Sequence, residues 1–188
     1  MRHHLTLSLP IILAALFLDQ LTKWAAWEYQ KFGNIAATDF WAWLTTFPAI
    51  QVIYDGHYVT PFLNLVTVWN RGVSFGFLAG RDDWRVYFLV GMALVLIAIM
   101  AVWLVRAQTR LMMIALSMII GGALGNIVDR LRFGAVADFI DFHIGSWHYP
   151  AFNGADSFIV VGVCLIVLDT LFLSRQNKAD NDDAIITH

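Results

Sequence analysis

The sequence predicts an all-α membrane protein, a single domain spanning residues 1–188 with four transmembrane helices. Two observations carry that reading. Of 188 residues, 59% are hydrophobic and only 14% are charged, a membrane composition. The charges also fall between a few long stretches that carry none. Each stretch, taken with its flanks, approaches the roughly 20 residues needed to cross about 30 Å of hydrocarbon.

The helices are expected at about 5–27, 85–105, 111–129 and 156–174. The first joins an apolar run, 5–18, to residues 20–27 around Asp19 and Lys23. Arg2 ahead of that run would also suit a cleaved signal peptide. The run continues through Trp24 and Trp27 without a small-x-small cleavage site, so a retained helix is the better reading. The other three rest on charge-free runs at 86–105, 111–128 and 157–168.

Four spans put both termini on one side. The short, charge-dense loop Arg106-Ala-Gln-Thr-Arg110 makes that side cytoplasmic, although Lys31, Arg71, Arg81, Arg85, Arg130 and Arg132 lie on the other. Segments 28–84 and 130–155 then share the extracytoplasmic face, and the polar tail 175–188 reads as disordered. In the first segment, Phe40-Trp41-Ala-Trp43-Leu44 suits an interfacial element at headgroup level. Residues 61–69 alternate like a strand and stop at Asn70-Arg71-Gly72. In the second, Gly145, Pro150 and Gly154 argue against one continuous helix.

A net charge of -2 gives no argument for a nucleic-acid partner. The single cysteine, Cys164, excludes an intrachain disulfide and reads as a small buried apolar residue.

The third helix ends Gly121-Gly-Ala-Leu-Gly125-Asn126-Ile-Val-Asp129-Arg130, and spacings of three and four put Gly122, Gly125, Asn126 and Asp129 on one face. Small residues admit a neighbouring backbone and the polar ones bond across the contact. Asp129 reads as structural, neutralised by Arg130 or Arg132. Asp19 and Lys23, four apart with the acid first, read as an intrahelical ion pair. Asp169, near the far end of the last helix, is expected to reach the cytoplasmic interface.

Asp138 sits among Gly134-Ala-Val-Ala and Phe139-Ile, where its charged form is poorly solvated and its pKa rises. Asp156 lies in the first turn of the last helix with Asn153 placed to cap it, a position that favours negative charge. Alone, Asp156 is equally an ordinary first-turn acid. Together the two environments differ in the direction that separates a protonated acid from an ionised base. Such a pair can activate water and protonate a leaving amine without a metal.

Three other readings compete with this one. His143 and His148, near Asp138 and Asp141, lack the spacing of a zinc peptidase and a cysteine partner. A proton-coupled transporter would want paired helix breaks and carboxylates at the midplane. A purely structural subunit leaves Asn, Asp and Arg concentrated at one bilayer face without a reason.

Five motifs then occur in the order seen in bacterial lipoprotein signal peptidases, also called signal peptidase II. They are Leu18-Asp19-Gln20-Leu-Thr22-Lys23, Asn70-Arg-Gly72-Val-Ser74-Phe75, the Gly121 to Arg130 stretch, Val136-Ala-Asp138-Phe139, and Phe152-Asn153-Gly-Ala155-Asp156. The chain resembles that family over most of residues 17–173. The resemblance implies a multi-pass aspartic endopeptidase of the bacterial plasma (inner) membrane, with both termini cytoplasmic and its active site at the extracytoplasmic face. It would remove signal peptides from diacylglyceryl-modified prolipoproteins, cutting before the lipidated cysteine. It implies Asp138 and Asp156 as the catalytic pair, with Asn70, Gly72, Asn126, Asp129, Arg130 and Asn153 supporting them and Asp19 and Lys23 in the first-helix motif. It also implies a small extracytoplasmic β-cradle within residues 61–78 and a second soluble element before the last helix. Expected besides are a monomer in contact with membrane lipid, no cofactor and no metal. Two departures stand out: residues 33–59 match no family motif, and Ala137 stands where the family commonly has valine.

Overall fold

The computed structural model describes residues 2–30, 37–46, 57–72 and 83–186. Ser74 and Phe75 of the second motif, and much of 33–59, lie outside the described residues. Four long helices dominate: α1 (Arg2–Gln30), α3 (Asp83–Val105), α4 (Arg110–Phe133) and α5 (Gly154–Ile186), with a short α2 (Phe40–Thr45) between the first two. Within them, Thr6–Gln30, Trp84–Val105, Arg110–Phe133 and Gly154–Phe172 are long and apolar enough to cross a membrane.

The small β-element expected beside the four spans is a four-stranded antiparallel sheet in the order β1 (His57–Thr60), β2 (Leu63–Asn70), β3 (Val136–Ile144) and β4 (Trp147–His148). The alternating stretch ending at Asn70 is β2, as its pattern predicts. The sheet joins the two interhelical segments, since β2 pairs with β3 from Leu63↔Phe142 to Asn70↔Val136. That pairing sets Asn70, at the end of β2, beside the start of β3.

α4 is the hub and packs against α1, α3 and α5. Its glycines make this possible. A Cβ on Gly122 would strike the backbone oxygen of Ala155, and one on Gly125 would strike the Asp19 carboxylate. The helix runs four residues past the expected 129 and stops at Gly134, whose φ of 70° is the left-handed value that favours glycine. Its N–H closes on Arg130 O at 2.9 Å, and the chain leaves directly into β3.

Two expectations need correction. The tail expected to be disordered from 175 is the continuation of α5 to Ile186, and 175–186 contains no Gly or Pro to break the helix. Cys164 is exposed on α5 rather than buried, on a surface shared with exposed Val160, Val161, Val163 and Val167, which suits lipid rather than a protein core.

Candidate active site

The site forms where β2, α4, β3 and the start of α5 meet. Asp138 enters from β3 and is only 2% exposed. Its Oδ1 accepts from Asn153 Nδ2 at 2.7 Å and its Oδ2 from Asn70 Nδ2 at 3.1 Å. Asn70 is aimed by an Asx turn, in which Gly72 N–H donates to its Oδ1 at 3.2 Å. Each Asp138 oxygen keeps a lone pair clear of these donors, so a proton carried there points away from the two asparagines.

Asp156 occupies the third position of α5. Asn153 caps the helix as its sequence predicts, Oδ1 accepting from Asp156 N at 3.0 Å, while Asp156 Oδ2 reaches back to Asn153 N at 3.4 Å. This is the reciprocal geometry of a capping box. Asn126 of α4 donates to Asp156 Oδ1 at 2.9 Å and accepts from Asn153 Nδ2 at 3.3 Å. Thus Asn126 and Asn153 together link one carboxyl group to the other.

Burial first, then the charge of Asp156, pushes Asp138 up to about 7, against the lowering effect of its Asn70 and Asn153 hydrogen bonds. Both carboxyl groups line a cavity of about 370 Å³ together with Asn70, Gly72, Arg130 and Tyr149. Arg130 also donates to Asn126 O at 3.2 Å.

Behind the carboxyl pair lies a second polar cluster. Lys23 Nζ is 2.8 Å from Asp19 Oδ2 and 2.7 Å from Asp129 Oδ2, all three side chains being buried. The α1 ion pair is therefore as expected, but the counter-ion of Asp129 is Lys23 and not Arg130 or Arg132. The helical approach that Gly125 permits brings α1 within reach, whereas Arg130 is directed to the cavity and Arg132 elsewhere. Gln20 Nε2 bridges the acids, 3.1 Å from Asp19 Oδ2 and 3.0 Å from Asp129 Oδ1.

Each acid spends its remaining acceptor capacity on backbone beside the site. Asp129 Oδ2 takes Ala137 N–H at 3.1 Å, one residue before Asp138. Asp19 Oδ1 takes Ala155 N–H at 2.7 Å, one residue before Asp156. Sequence reasoning gave Gln20 no role, although a buried amide between two ionisable residues in an apolar helix is itself a signal.

The flanking α2 is fixed by aromatic and cationic contacts. Asp39 caps it, accepting from Ala42 N at 3.0 Å. Trp43 is 3% exposed, and the Arg132 guanidinium lies 4.3 Å from its ring centroid and 4.4 Å from that of Phe133. Trp41 is 68% exposed. Trp41 therefore faces outward and Trp43 inward, since the α2 periodicity separates them across the helix.

The two histidines stand apart from the carboxyl pair. His148 Nδ1 is 2.8 Å from Asp141 Oδ1 and the histidine rings stack with centroids 5.0 Å apart. Alternation along β3 sends Asp138 and Asp141 to opposite faces. Among the described residues, no three His, Cys, Asp or Glu side chains are grouped as a metal site requires.

The family model described as signal peptidase (SPase) II matches residues 11–172. A lipoprotein signal peptidase of Burkholderia thailandensis is 38% identical over 164 residues, covering 87% of this chain and 86% of that protein. One from Serratia proteamaculans is 50% identical over 121 residues, covering 63% of this chain and 71% of that protein. A solved bacterial membrane enzyme, determined by the in meso method at 2.3 Å resolution, superposes with a TM-score of 0.66 at 28% identity, over 88% of each chain. A second, at 1.9 Å, gives 0.65 at 28% identity, over 88% of this chain and 93% of that one.

Proposed function

The chain belongs to the signal peptidase II family, and on that premise we propose that its peptidase chemistry is aspartic, carried by Asp138 and Asp156. It is a multi-pass bacterial membrane protein that removes signal peptides from prolipoproteins. The observation that carries the aspartic reading is the shared cavity: two carboxyl groups, held by the Asn126–Asn153 link, face one space with Asp138 raised to about 7.

In this mechanism the pair carries one proton. The ionised member takes a proton from a water that attacks the scissile carbonyl, while the protonated member donates a hydrogen bond to the carbonyl oxygen. The tetrahedral intermediate collapses as a carboxyl group gives its proton to the leaving nitrogen. The C–N bond breaks, and the pair again holds one proton. The titration belongs to the coupled pair and not to either residue alone. The Arg130 charge on the cavity wall favours the developing oxyanion. Asn70, Gly72, Asn126 and Asn153 orient the carboxyl groups, and Asp19, Lys23 and Asp129 position the backbone behind them.

The substrate is a prolipoprotein carrying diacylglycerol on the cysteine that follows the scissile bond. The site opens at the end of the spans where α4 stops and α5 starts, a depth at which a signal helix can present its peptide bond while the lipid stays in the bilayer. We assign that end to the extracytoplasmic face of the plasma membrane and both termini to the cytoplasm, with the Arg106 to Arg110 loop inside. The chain acts as a monomer, and exposed Trp41 on α2 lies in the outer leaflet beside the lipid of the substrate.

Incubating the purified protein with a diacylglyceryl-modified prolipoprotein and with its unlipidated form tests this. Cleavage before the modified cysteine only is expected. Equal cleavage of both forms would contradict lipid recognition.

A further inference from the structure

Gln30, the last residue of α1, is only 4% exposed and takes no part in the polar cluster behind the carboxyl pair. Its side chain reaches the middle of β2 instead. Nε2 donates to Val66 O at 3.2 Å, and Oε1 accepts from the hydroxyl of Thr67, itself buried. Trp27, one turn earlier on the same face of α1, meets Trp69 edge-on with ring centroids 6.1 Å apart. An amide bonded at both ends to two consecutive residues holds them in one arrangement.

Those two residues are where the pairing of β2 with β3 changes phase. Leu65 lies opposite Ile140 and Val68 opposite Asp138, so Val66 and Thr67 together face the single residue Phe139. This is a β-bulge, with one residue more on β2 than on β3. Its consequence falls on Asn70. With the bulge, Asn70 pairs with Val136, two residues from Asp138 and on the same face of the sheet. Without it, Trp69 would take that place and Asn70 would turn to the opposite face, because a slip of one residue reverses every side chain. The bond from Asn70 Nδ2 to Asp138 Oδ2 could not then form.

We propose that Gln30 is a positioning residue for the peptidase reaction: by filling the bulge of β2 it fixes the phase that turns Asn70 toward Asp138. A bulge leaves its extra residue short of partners on the neighbouring strand, and the end of α1 supplies them. The inference rests on the aspartic reading of Asp138. Asp156, Arg130 and Lys23 also act on Asp138 by charge. The two bonds of Gln30 go to none of these, so its effect runs through Asn70.

The test is single-turnover cleavage of a diacylglyceryl-modified prolipoprotein by Gln30→Met, Asn70→Ala and the double variant, with a thermal melt of each. Methionine keeps the length of glutamine and loses both bonds. Gln30→Met should lower the rate about tenfold, the worth of one well-placed hydrogen bond, and should lower it no further in the Asn70→Ala background. A pH profile separates positioning from stability. Donation by Asn70 lowers the Asp138 carboxyl, so Gln30→Met should carry the alkaline limb of kcat/KM to higher pH, as should Asn70→Ala. Thr67→Val, a milder change that keeps the bond to Val66, should give a smaller shift in the same direction. Rate losses that multiply in the double variant, or an alkaline limb unmoved by both Gln30→Met and Thr67→Val, would overturn the proposal. Failure of the aspartic reading would show separately, as an unmodified protein with no alkaline limb, and the double variant would still decide for or against Gln30.

Discussion

Asp19 Oδ1 holds the backbone N–H of Ala155 at 2.7 Å, which ties the middle of α1 to the residue immediately before Asp156. Asp129 does the same for Ala137, immediately before Asp138. Lys23 ties the two acids to each other. The geometry of the carboxyl pair is thus imposed from behind, by a buried charge cluster that does not line the cavity.

Replacing one acid by asparagine leaves Lys23 with a single counter-ion, and the amide oxygen can serve either Lys23 or the backbone N–H while the NH2 donor faces the other. Asp19→Asn and Asp129→Asn should each lower thermal stability and activity together, since breaking a buried ion pair costs about 3–5 kcal/mol. Gly125→Ala should act in the same way through space, because its Cβ would strike the Asp19 carboxylate. Thermal melts beside cleavage rates check this. Full stability with lost activity would move the acid concerned into the chemistry itself.

The raised Asp138 carboxyl sets a pH dependence. Its folded value of about 7 lies above the ordinary 3.8. The group's contribution to stability is therefore full below about 3.8 and lost as pH rises through about 7. The same ionisation removes the proton that the mechanism needs. A pH profile of kcat/KM should fall above about 7 with a slope approaching one decade per pH unit. A flat profile to pH 9 would disprove the assignment of the acid.

Trp41 and Trp43 should behave differently. Trp41→Ala removes only an exposed ring and should raise KM with little change in kcat, a loss of binding shared by ground and transition states. Trp43→Ala deletes a buried ring under Arg132 and should cost about 3–5 kcal/mol of stability. Kinetic constants unaffected by Trp41→Ala would make α2 a passive anchor.

Chelation should leave turnover unchanged, because in the proposed mechanism the pair activates water by proton transfer. Activity measured before and after EDTA is the check. Loss restored by zinc would revive a metal mechanism.

Periodicity and charge-free runs made the four spans legible, and the position of Asn153 made the cap of α5 legible. The sheet was half visible. β2 alternates cleanly, but β3 was hidden because Gly145 and Pro150 drew attention to what the segment was not. Its alternating Ile140, Phe142 and Ile144 before the Gly145 turn were the usable signal. The carboxyl pair could be named from its local surroundings. Asp129's partner could not, because Lys23 is 106 positions away and reaches it only through the close approach of α1 and α4. Trp43 shows the same limit: an aromatic at headgroup level reads as lipid-facing until Arg132 and Phe133 arrive from a distant helix.

The most direct measurement is single-turnover cleavage of a diacylglyceryl-modified prolipoprotein by Asp138→Asn and Asp156→Asn, each confirmed folded by its thermal melt. An amide can neither take up nor release the proton, so each substitution should abolish cleavage in a protein that still folds. Substantial turnover by either folded variant would remove that residue from the pair and contradict the aspartic mechanism.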